Sequence, residues 1–297
     1  MFGKLKRYIA DPYWALGCDM IKSLPNWMSD EFYIRTLWRM LMGYKLDLRN
    51  PKTFNEKLQW LKLYNHDSLY TTLVDKLRVK DWVAEKIGEE YVISTLAVWE
   101  SADDIDISQL PDQFVLKCNH DSGSVVICKD KSTFDLNAAK EKLGNALKHN
   151  FYLEAREWAY KNVKPCIFAE TYIQDTAYDD LITYKFLCFN GRPELMYVTV
   201  KNENIWENYY DMDFRLLDLN RKFPNHTYSV ARPKCFEQMK MVAEKLSKDI
   251  VHVRIDLYEV DGQIYFSEYT FYDWGGLFDF NSEEWNNHLG ELIIVPK

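Results

Sequence analysis

Apolar residues recur along the chain with two different periods, and these periods separate a helical part from a part rich in strands. Residues 27–42 and 55–64 carry apolar side chains at helical spacing. Residues 70–87 continue this pattern, and Gly88 follows at the position where a glycine commonly ends a helix. We therefore predict that the first part of the chain is helical.

Short apolar runs with period two dominate the remainder, with two further helical stretches between them. We predict strands at 91–98, 114–118, 125–129, 166–173, 182–189, 194–201, 251–260 and 264–271, and helices at 136–149 and 236–248. The tail after residue 273 is predicted to be a loop with a short helix. Antiparallel runs of strands with helices between them indicate the α+β class.

Charge narrows the range of functions. Lys and Arg number 37 against 45 Asp and Glu, so the net charge is −8. A protein that binds nucleic acid by neutralising phosphates needs a positive field, and we expect no nucleic-acid partner here. Aromatic residues make up 15% of the chain, which suits a sheet-rich core or a cleft that stacks flat ligands.

The sequence also bears on the compartment. The six cysteines are scattered, with no C-x-x-C pair, as in proteins whose thiols stay reduced. No apolar run is long enough to span a bilayer, and the basic N-terminus lacks the apolar stretch of a signal peptide. We expect a cytoplasmic protein; contact with the inner face of the membrane and homodimer formation are left open.

Candidate chemistry is concentrated in the predicted hairpin near the C-terminus. In residues 251–258 the alternation places Arg254 and Asp256 on one face, and the partner strand carries Glu268 in an otherwise aromatic run. An unpaired carboxylate there would be costly. An Asp and a Glu that converge from adjacent strands form an oxygen-rich site suited to Mg²⁺ with bound phosphates.

The register of this hairpin decides whether the two acids meet. A two-residue turn would place Asp256 and Glu268 on opposite faces, whereas a three-residue loop that ends at Gly262 would place them on the same face. The turn residues favour neither strongly, and both registers stay open.

A second candidate lies upstream, where a predicted strand ends at Lys117 and a small polar loop, 119–124, leads into the next strand. Such a loop can fold its backbone N–H groups over phosphates while the lysine supplies charge. It matches neither common glycine-rich phosphate motif, and an ordinary hairpin is the alternative.

The order of these motifs resembles the ATP-grasp layout, and in particular its TupA-like branch, which is associated with teichuronopeptide and other surface-polysaccharide synthesis. The resemblance covers roughly residues 40–275. It rests on DKLRVK at 75–80, FVLK at 114–117, FAETYI at 168–173 and RIDLYEVDGQIYFSE at 254–268, together with NPKTFNEKLQW at 50–60, REWAYKNVKP at 156–165 and KFLCFNG at 185–191.

The resemblance implies an ATP-grasp fold in which two antiparallel-sheet lobes clamp a nucleotide, preceded by a helical N-terminal region. It divides the chain into 1–72 (helical), 73–176 (smaller lobe with a phosphate lid) and 177–297 (larger lobe with the metal site and a substrate tail). The implied cofactors are ATP and Mg²⁺.

It also implies a role for individual residues. The implied ATP-binding residues are Lys80 and Lys117 at the phosphates, the lid residues Asn119, His120, Ser122, Gly123 and Ser124, Glu170 at the adenine amino group, Tyr172 and Ile173 at the hinge, and Asp179 or Asp180 at the ribose. The implied metal ligands are Asp256 and Glu268, with Thr270 where the wider family commonly has Asn, so that the coordination of a second metal is open. Arg254 would steady the transferring phosphoryl group, and Lys185 would reach a phosphate.

The function implied is that of an ATP-dependent carboxylate–amine ligase that acts through an acyl phosphate. The expected substrates are a sugar uronate, or a similar carboxylate, and an amine such as an amino acid. The alternatives are a glycosyltransferase, for which the D-x-D pairs Asp104/Asp106 and Asp211/Asp213 are weak signals, and a nucleotide-binding protein without catalysis.

Overall fold

The computed structural model describes residues 28–175, 181–201, 205–226 and 230–296. The helices in these ranges are α1 (Asp30–Met42), α2 (Phe54–Tyr64), α3 (Ser68–Val74), α4 (Val79–Ile87), α5 (Leu136–Leu147), α6 (Tyr152–Ala155), α7 (Phe236–Ser247) and α8 (Glu283–Leu292). The strands are β1 (Thr95–Trp99), β2 (Phe114–Cys118), β3 (Val125–Cys128), β4 (Ile167–Thr171), β5 (Thr183–Phe189), β6 (Arg192–Lys201), β7 (Ile205–Asp211), β8 (His252–Val260) and β9 (Gln263–Thr270). Short 3₁₀ turns lie at Glu89–Tyr91, Trp158–Tyr160 and Asp273–Gly276.

The first sheet has four antiparallel strands in the order β1-β4-β2-β3. Alternation along β2 and β4 turns Leu116 and Ala169 into a core that also contains Leu143 of α5. The same alternation turns Lys117 and Glu170 to the other face. This first sheet therefore has one apolar face covered by a helix and one face that carries charge.

The second sheet has five antiparallel strands in the order β7-β6-β5-β8-β9. Helix α7 packs on one face, where Phe236 stacks on Phe186 with ring centroids 6.0 Å apart. Cross-strand pairing places Lys185 opposite Asp256 on the other face. Both sheets thus present a charged face, as an α+β fold with two antiparallel-sheet lobes requires.

The helices at the two ends of the described chain pack together beside the second sheet. A capping box starts α2, because the Thr53 hydroxyl accepts from the Glu56 amide and the Glu56 carboxylate accepts from the Thr53 amide. Helix α8 docks on this start so closely that a Cβ at Gly290 would lie 2.1 Å from the carbonyl oxygen of Lys52. Only glycine permits this approach.

Two local predictions were wrong. Residues 70–87 do not form one helix: α3 ends at Asp75, whose carboxylate accepts from the amides of Leu77 (3.0 Å) and Arg78 (3.1 Å) in a turn that precedes α4. The edge strand β7 was not predicted, because its buried residues are polar or aromatic and do not alternate with exposed ones: Glu207, Asn208, Tyr209 and Tyr210.

The strands of the first sheet all lie within residues 73–176, and those of the second lie within 177–297. The boundaries of the smaller and larger lobes at these residues stay predictions. None of the helices in the described ranges has the length and apolar character needed to cross a membrane. The described cysteines are all free thiols: Cys118, Cys128, Cys166, Cys188 and Cys235.

A buried histidine lies between the second sheet and α2. His252 packs against the rings of Phe54 and Phe189, at centroid distances of 5.0 and 4.6 Å. The Nδ1 atom of His252 lies 3.0 Å from the Cys188 carbonyl oxygen. Because a carbonyl oxygen can only accept a hydrogen bond, Nδ1 carries the proton and donates it. Burial lowers the pKa of His252 to about 4. The imidazole is therefore neutral in the folded protein at pH values where the unfolded chain is already protonated.

We predict that this histidine contributes to acid instability. Between pH values of about 6.5 and 4 the unfolded state binds a proton that the folded state does not, so the free energy of unfolding falls as the pH falls. On going from about pH 7.5 to about pH 5 the loss from this group is about 2 kcal/mol. The free energy of unfolding is measured with urea at both pH values. Between them it should fall by about 2 kcal/mol less in His252→Phe than in the parent protein. In His288→Phe, where the side chain is exposed, it should fall by as much as in the parent protein. Equal losses in all three proteins would contradict the assignment.

Candidate active site

A pocket opens between the charged face of the first sheet and the β8–β9 hairpin of the second. The rings of Phe168 and Phe266 contribute to its walls, with Ile93 at one side. Three lysines and Glu170 also line it. An apolar slot with convergent charged groups suits a flat ring system that carries an anionic tail.

Two of the three lysines share one buried carboxylate. Glu170 is 4% exposed, and its Oε2 lies 3.0 Å from Lys80 Nζ while its Oε1 contacts Lys117 Nζ. Burial alone would raise the pKa of Glu170, but Lys117 and Lys80 together lower it below its ordinary value. The carboxylate is thus ionised, and one negative charge faces more than one positive charge. The excess positive charge favours an anionic ligand.

The third lysine, Lys76, was assigned no role from the sequence, although it belongs to the DKLRVK motif. Its Nζ donates to the Asp121 carbonyl of the predicted phosphate loop and lies 3.7 Å from Glu268 Oε2 on β9. Its backbone amide donates to the Asn119 carbonyl at 3.0 Å. Lys76 therefore joins the loop of the first sheet to the acidic hairpin of the second.

The loop after β2 departs from the expectation for its first two residues. The Asn119 side chain donates to the Lys164 carbonyl (3.0 Å) and accepts from the Cys166 amide (2.8 Å). The buried His120 Nε2 lies 3.2 Å from the Ala146 carbonyl at the end of α5. These two side chains fasten the loop to its own lobe, and the structure does not bring them to the pocket.

The tip of the loop remains free to meet a ligand. Ser122 and Gly123 are exposed, and Gly123 has a φ of +100°, in the region that favours glycine. Behind the tip, Ser124 Oγ accepts from the Cys118 amide at 3.2 Å and donates to Asp121. This geometry leaves the backbone N–H groups of the tip, rather than the preceding side chains, as the candidates for phosphate contact.

The register of the β8–β9 hairpin follows neither of the two alternatives. The turn has two residues, Asp261 and Gly262, with φ values of +50° and +85°. Such a turn would separate Asp256 and Glu268, but the pairing shifts by one residue at Ser267, a β-bulge in β9. Asp256 and Glu268 consequently pair directly across the strands and lie on the same face.

The bulge has a signal in the sequence that period-two analysis overlooked. The apolar residues of this strand that are buried in the core are Ile264, Phe266, Tyr269 and Phe271, with spacings of two, three and two. The step of three marks the extra residue, because a regular strand would keep a step of two.

Arg254 lies at the centre of the acidic group. Its guanidinium makes two hydrogen bonds to Asp256 (2.7 and 2.8 Å), one to Glu268 Oε1 (2.9 Å) and one to Asp273 Oδ1 (2.5 Å). Burial raises the pKa of Asp256 to about 6, opposed by Arg254 and reinforced by Glu268. The pKa of Glu268 is lowered despite burial, because Lys76 and Arg254 lie beside it. The pair is therefore held together by one buried cation.

A group of buried residues that the sequence analysis missed binds Arg254 on the side away from the acidic pair. Asp273 is 1% exposed and accepts from Arg254, from Arg221 Nη1 (2.9 Å) and from the Tyr197 hydroxyl (2.8 Å). Arg221 in turn donates to Asn55 Oδ1 at 2.6 Å. No local pattern marks these residues, since Asn55 and Arg221 are 166 positions apart.

Lys185 lies on the same sheet face, between Asp256 on β8 and Tyr197 on β6 in the cross-strand register. Its Nζ donates to Thr199 Oγ1 at 2.7 Å and lies 5.1 Å from the centroid of the Tyr197 ring. Burial lowers the pKa of Lys185 below its ordinary value. Lys185 is therefore the cross-strand neighbour of Asp256, while its ammonium group binds Thr199.

The remaining predicted residues are placed as follows. Thr270 pairs with Arg254 in register, and its hydroxyl lies 3.3 Å from Glu268 Oε1. Tyr172 and Ile173 directly follow β4 and are half-buried. Asp179 and Asp180 lie outside the described residues.

The two D-x-D pairs stabilise turns. Asp106 accepts from the amide and hydroxyl of Ser108, at 2.8 and 3.0 Å. Asp211 Oδ1 accepts from the amides of Asp213 (2.9 Å) and Arg215 (2.8 Å). Within the described ranges no three His, Cys, Asp or Glu side chains gather closely enough to hold a metal by themselves.

A family model for TupA-like ATP-grasp proteins matches residues 56–294, which include both sheets and every site residue predicted from the sequence. The chain belongs to the TupA-like ATP-grasp family. The motif order in the sequence indicated the same family.

The chain is also similar, at low identity, to solved ATP-grasp structures. D-alanine–D-alanine ligase from Helicobacter pylori is 15% identical (TM-score 0.44) over 81% of this chain and 69% of that one; the Bacillus anthracis enzyme with ATP is 14% identical (TM-score 0.39) over 67% and 53%. A RimK domain protein from Sphaerobacter thermophilus is 12% identical (TM-score 0.41) over 82% and 79%. The chain thus spans about half of the Bacillus ligase. No curated protein sequence matches it.

The donors on the hairpin fit the Mg²⁺ that ATP-grasp chemistry implies. Mg²⁺ is commonly bound by one or two carboxylates together with substrate phosphates, rather than by an all-protein cage. Asp256 and Glu268 are paired carboxylates; burial, reinforced by the charge of Glu268, raises the pKa of Asp256, and a cation beside the two carboxylates would offset their repulsion. Among the residues that the structure describes, Lys76 at 3.7 Å is the one ion-pair partner of Glu268 Oε2.

We predict that Asp273 stabilises the fold through its two buried arginines. Asp273→Asn keeps the shape but leaves Arg221 and Arg254 with one carboxylate fewer, which should lower the free energy of unfolding by about 3 kcal/mol. Urea unfolding measures this loss. Asp213→Asn removes an exposed partner of Arg215 and should cause no measurable loss. Equal effects of the two substitutions would contradict the buried network.

Proposed function

We propose that this chain is an ATP-dependent carboxylate–amine ligase that acts through an acyl phosphate and forms an amide on a sugar uronate, or a similar carboxylate, in bacterial surface-polysaccharide biosynthesis. One observation carries the proposal. The pocket that holds Lys80, Lys117 and Glu170 is also lined by Tyr258 and Ser267 of the β8–β9 hairpin. The same hairpin carries the acidic group around Arg254, and Lys76, which lines the pocket, lies 3.7 Å from Glu268 of that group. The TupA-like family assignment supports the polysaccharide role.

In this proposal ATP lies in the pocket between the sheets. The adenine ring packs between Phe168 and Phe266, and its amino group is near Glu170 and the hinge after β4. Lys80 and Lys117 shift from Glu170 towards the phosphates, because a phosphate carries more negative charge than the carboxylate they share.

The phosphates extend from this pocket towards the acidic hairpin. Ser122 and Gly123 at the loop tip supply backbone N–H groups, and Lys76 bridges the loop and Glu268. Asp256 and Glu268, with Thr270 beside them, would hold Mg²⁺. When bound, the ion neutralises charge on the β- and γ-phosphates.

The residues of the chain then position the two reactants and neutralise the charge of the phosphates, because phosphoryl transfer requires little covalent chemistry from the protein. A carboxylate oxygen of the substrate bonds to the γ-phosphorus, and the bond from that phosphorus to the bridging oxygen breaks, releasing ADP. Arg254 is placed to stabilise the charge that develops on the transferred group, and Lys185 lies one strand further along the same face. An amine then attacks the acyl carbon, and inorganic phosphate leaves.

The glycosyltransferase alternative finds no support in the described residues, because both D-x-D pairs are engaged in local turns. It remains an outcome of the test. Thermal unfolding with ATP, ADP or nucleotide-sugars, each with and without Mg²⁺, separates the classes, since a ligand at about 100 times its Kd stabilises by about 2.7 kcal/mol. Stabilisation by nucleotide-sugars alone would overturn the ligase proposal.

We predict that the acidic pair is essential for turnover. Asp256→Asn and Glu268→Gln should each lower Mg²⁺-dependent ADP release, measured with a panel of uronates and amino acids, by about 100-fold or more, because each removes charge that holds the metal and the phosphates. Glu259→Gln, on the opposite face of β8, is the matched control and should retain parental turnover. Full activity of either acidic variant would end the metal assignment.

A further inference from the structure

One buried carboxylate near the acidic hairpin has no partner. Glu157 follows α6 and is 8% exposed. In the parts of the chain that the structure describes, no side chain or backbone N–H donates to its carboxylate, and no cation lies within ion-pair distance of it. An unpaired buried carboxylate is costly, so a protein retains one where a ligand will supply the partner.

The surroundings of Glu157 show which ligand is missing. The nearest cation, Lys62, is already engaged, since its Nζ donates to Gln59 Oε1 at 3.0 Å and to the Gly275 carbonyl at 2.7 Å. Gly275 adjoins the carboxylate from the other side, where a Cβ would lie 3.6 Å from Glu157 Oε1. The absence of a side chain at residue 275 leaves room beside that oxygen.

Glu157 also belongs to the neighbourhood of the proposed reaction centre. The charges of Arg254 and Asp273 act on it, and so do those of Lys62 and Glu154. Glu157 adjoins Gly275, which lies in the same short turn as Asp273, a partner of Arg254. Glu157 is thus next to the turn that supports the acidic group, and it is not among the residues that line the nucleotide pocket.

We infer that Glu157 is the subsite for the attacking amine: its carboxylate pairs with the incoming ammonium group and accepts the proton that the amine must lose. This inference rests on the proposed ligase function. The amine nitrogen bonds to the acyl carbon, the bond from that carbon to the phosphate oxygen breaks, and phosphate leaves with the electron pair. Before the attack, Glu157 takes one proton from the ammonium group, which frees the lone pair of the nitrogen, and passes this proton to water. The second proton leaves the nitrogen after the new bond has formed and is taken up by the departing phosphate.

The titration behaviour of the group supports this role. Burial raises the pKa of Glu157 to about 7, opposed by Lys62. A carboxylate with a pKa near the working pH can both accept a proton from an ammonium group and release it.

The test compares two nucleophiles for the same acyl phosphate. Hydroxylamine is uncharged at neutral pH and needs no ammonium subsite, whereas amino acids arrive as ammonium ions. Reactions contain ATP, Mg²⁺, free or nucleotide-linked glucuronate and galacturonate, hydroxylamine, and an equimolar mixture of amino acids. Hydroxamate and amide are measured together by mass spectrometry.

In Glu157→Gln the ratio of amide to hydroxamate should fall at least tenfold relative to the parent protein. Glu154→Gln, three residues earlier on an exposed side chain paired with His149, is the matched control and should keep the parental ratio. If Glu157→Gln folds poorly, Glu157→Asp serves instead. It keeps the negative charge on a side chain shorter by one methylene group, and its ratio of amide to hydroxamate should be intermediate.

The outcomes separate the two claims. A parental ratio in Glu157→Gln, or a parent protein in which amino acids do not compete with hydroxylamine, overturns the amine subsite and leaves the ligase proposal standing. A parent protein that forms neither hydroxamate nor amide with any of these carboxylates overturns the ligase proposal and the subsite with it.

Discussion

The burial of one guanidinium group is the constraint on which the rest of the site depends. A buried charge is tolerated only when it is paired and its hydrogen-bonding groups are satisfied. Arg254 meets this requirement with three carboxylates, from Asp256 on its own strand, Glu268 on the next strand and Asp273 beyond it. The bulge in β9 is what brings Glu268 within reach.

This requirement extends through the molecule to its N-terminal helices. Asp273 is itself held by Arg221, and Arg221 by Asn55 in the first turn of α2. Gln59 and Lys62 on the same helix bind the carbonyl of Gly275. The helical region is therefore part of the support of the site, and it also helps to shape the place where Glu157 faces the reaction centre.

Opposite charges on the two sheets explain how one cleft can hold a triphosphate and an acidic metal site. The first sheet and the segment before α4 contribute lysines, and the second sheet contributes carboxylates, with Lys76 joining the two. Lys80 and Lys117 pair with Glu170. A bound triphosphate would replace that partner, while a cation would meet the carboxylates on the other side.

The sequence by itself determined the α+β class, most of the strands, and the family. Alternation of apolar residues and the order of motifs can be recognised along the chain without knowledge of contacts between distant residues. It placed Asp256 and Glu268 on a hairpin but could not choose their register, which depends on a bulge at Ser267. It assigned Asn119 and His120 to the nucleotide by position, whereas contacts with distant carbonyls turn both side chains away. The tertiary structure alone decided the partners of Arg254 beyond the hairpin and the isolation of Glu157, because these arise from side chains that are far apart in sequence and meet only when the two sheets and α2 pack together.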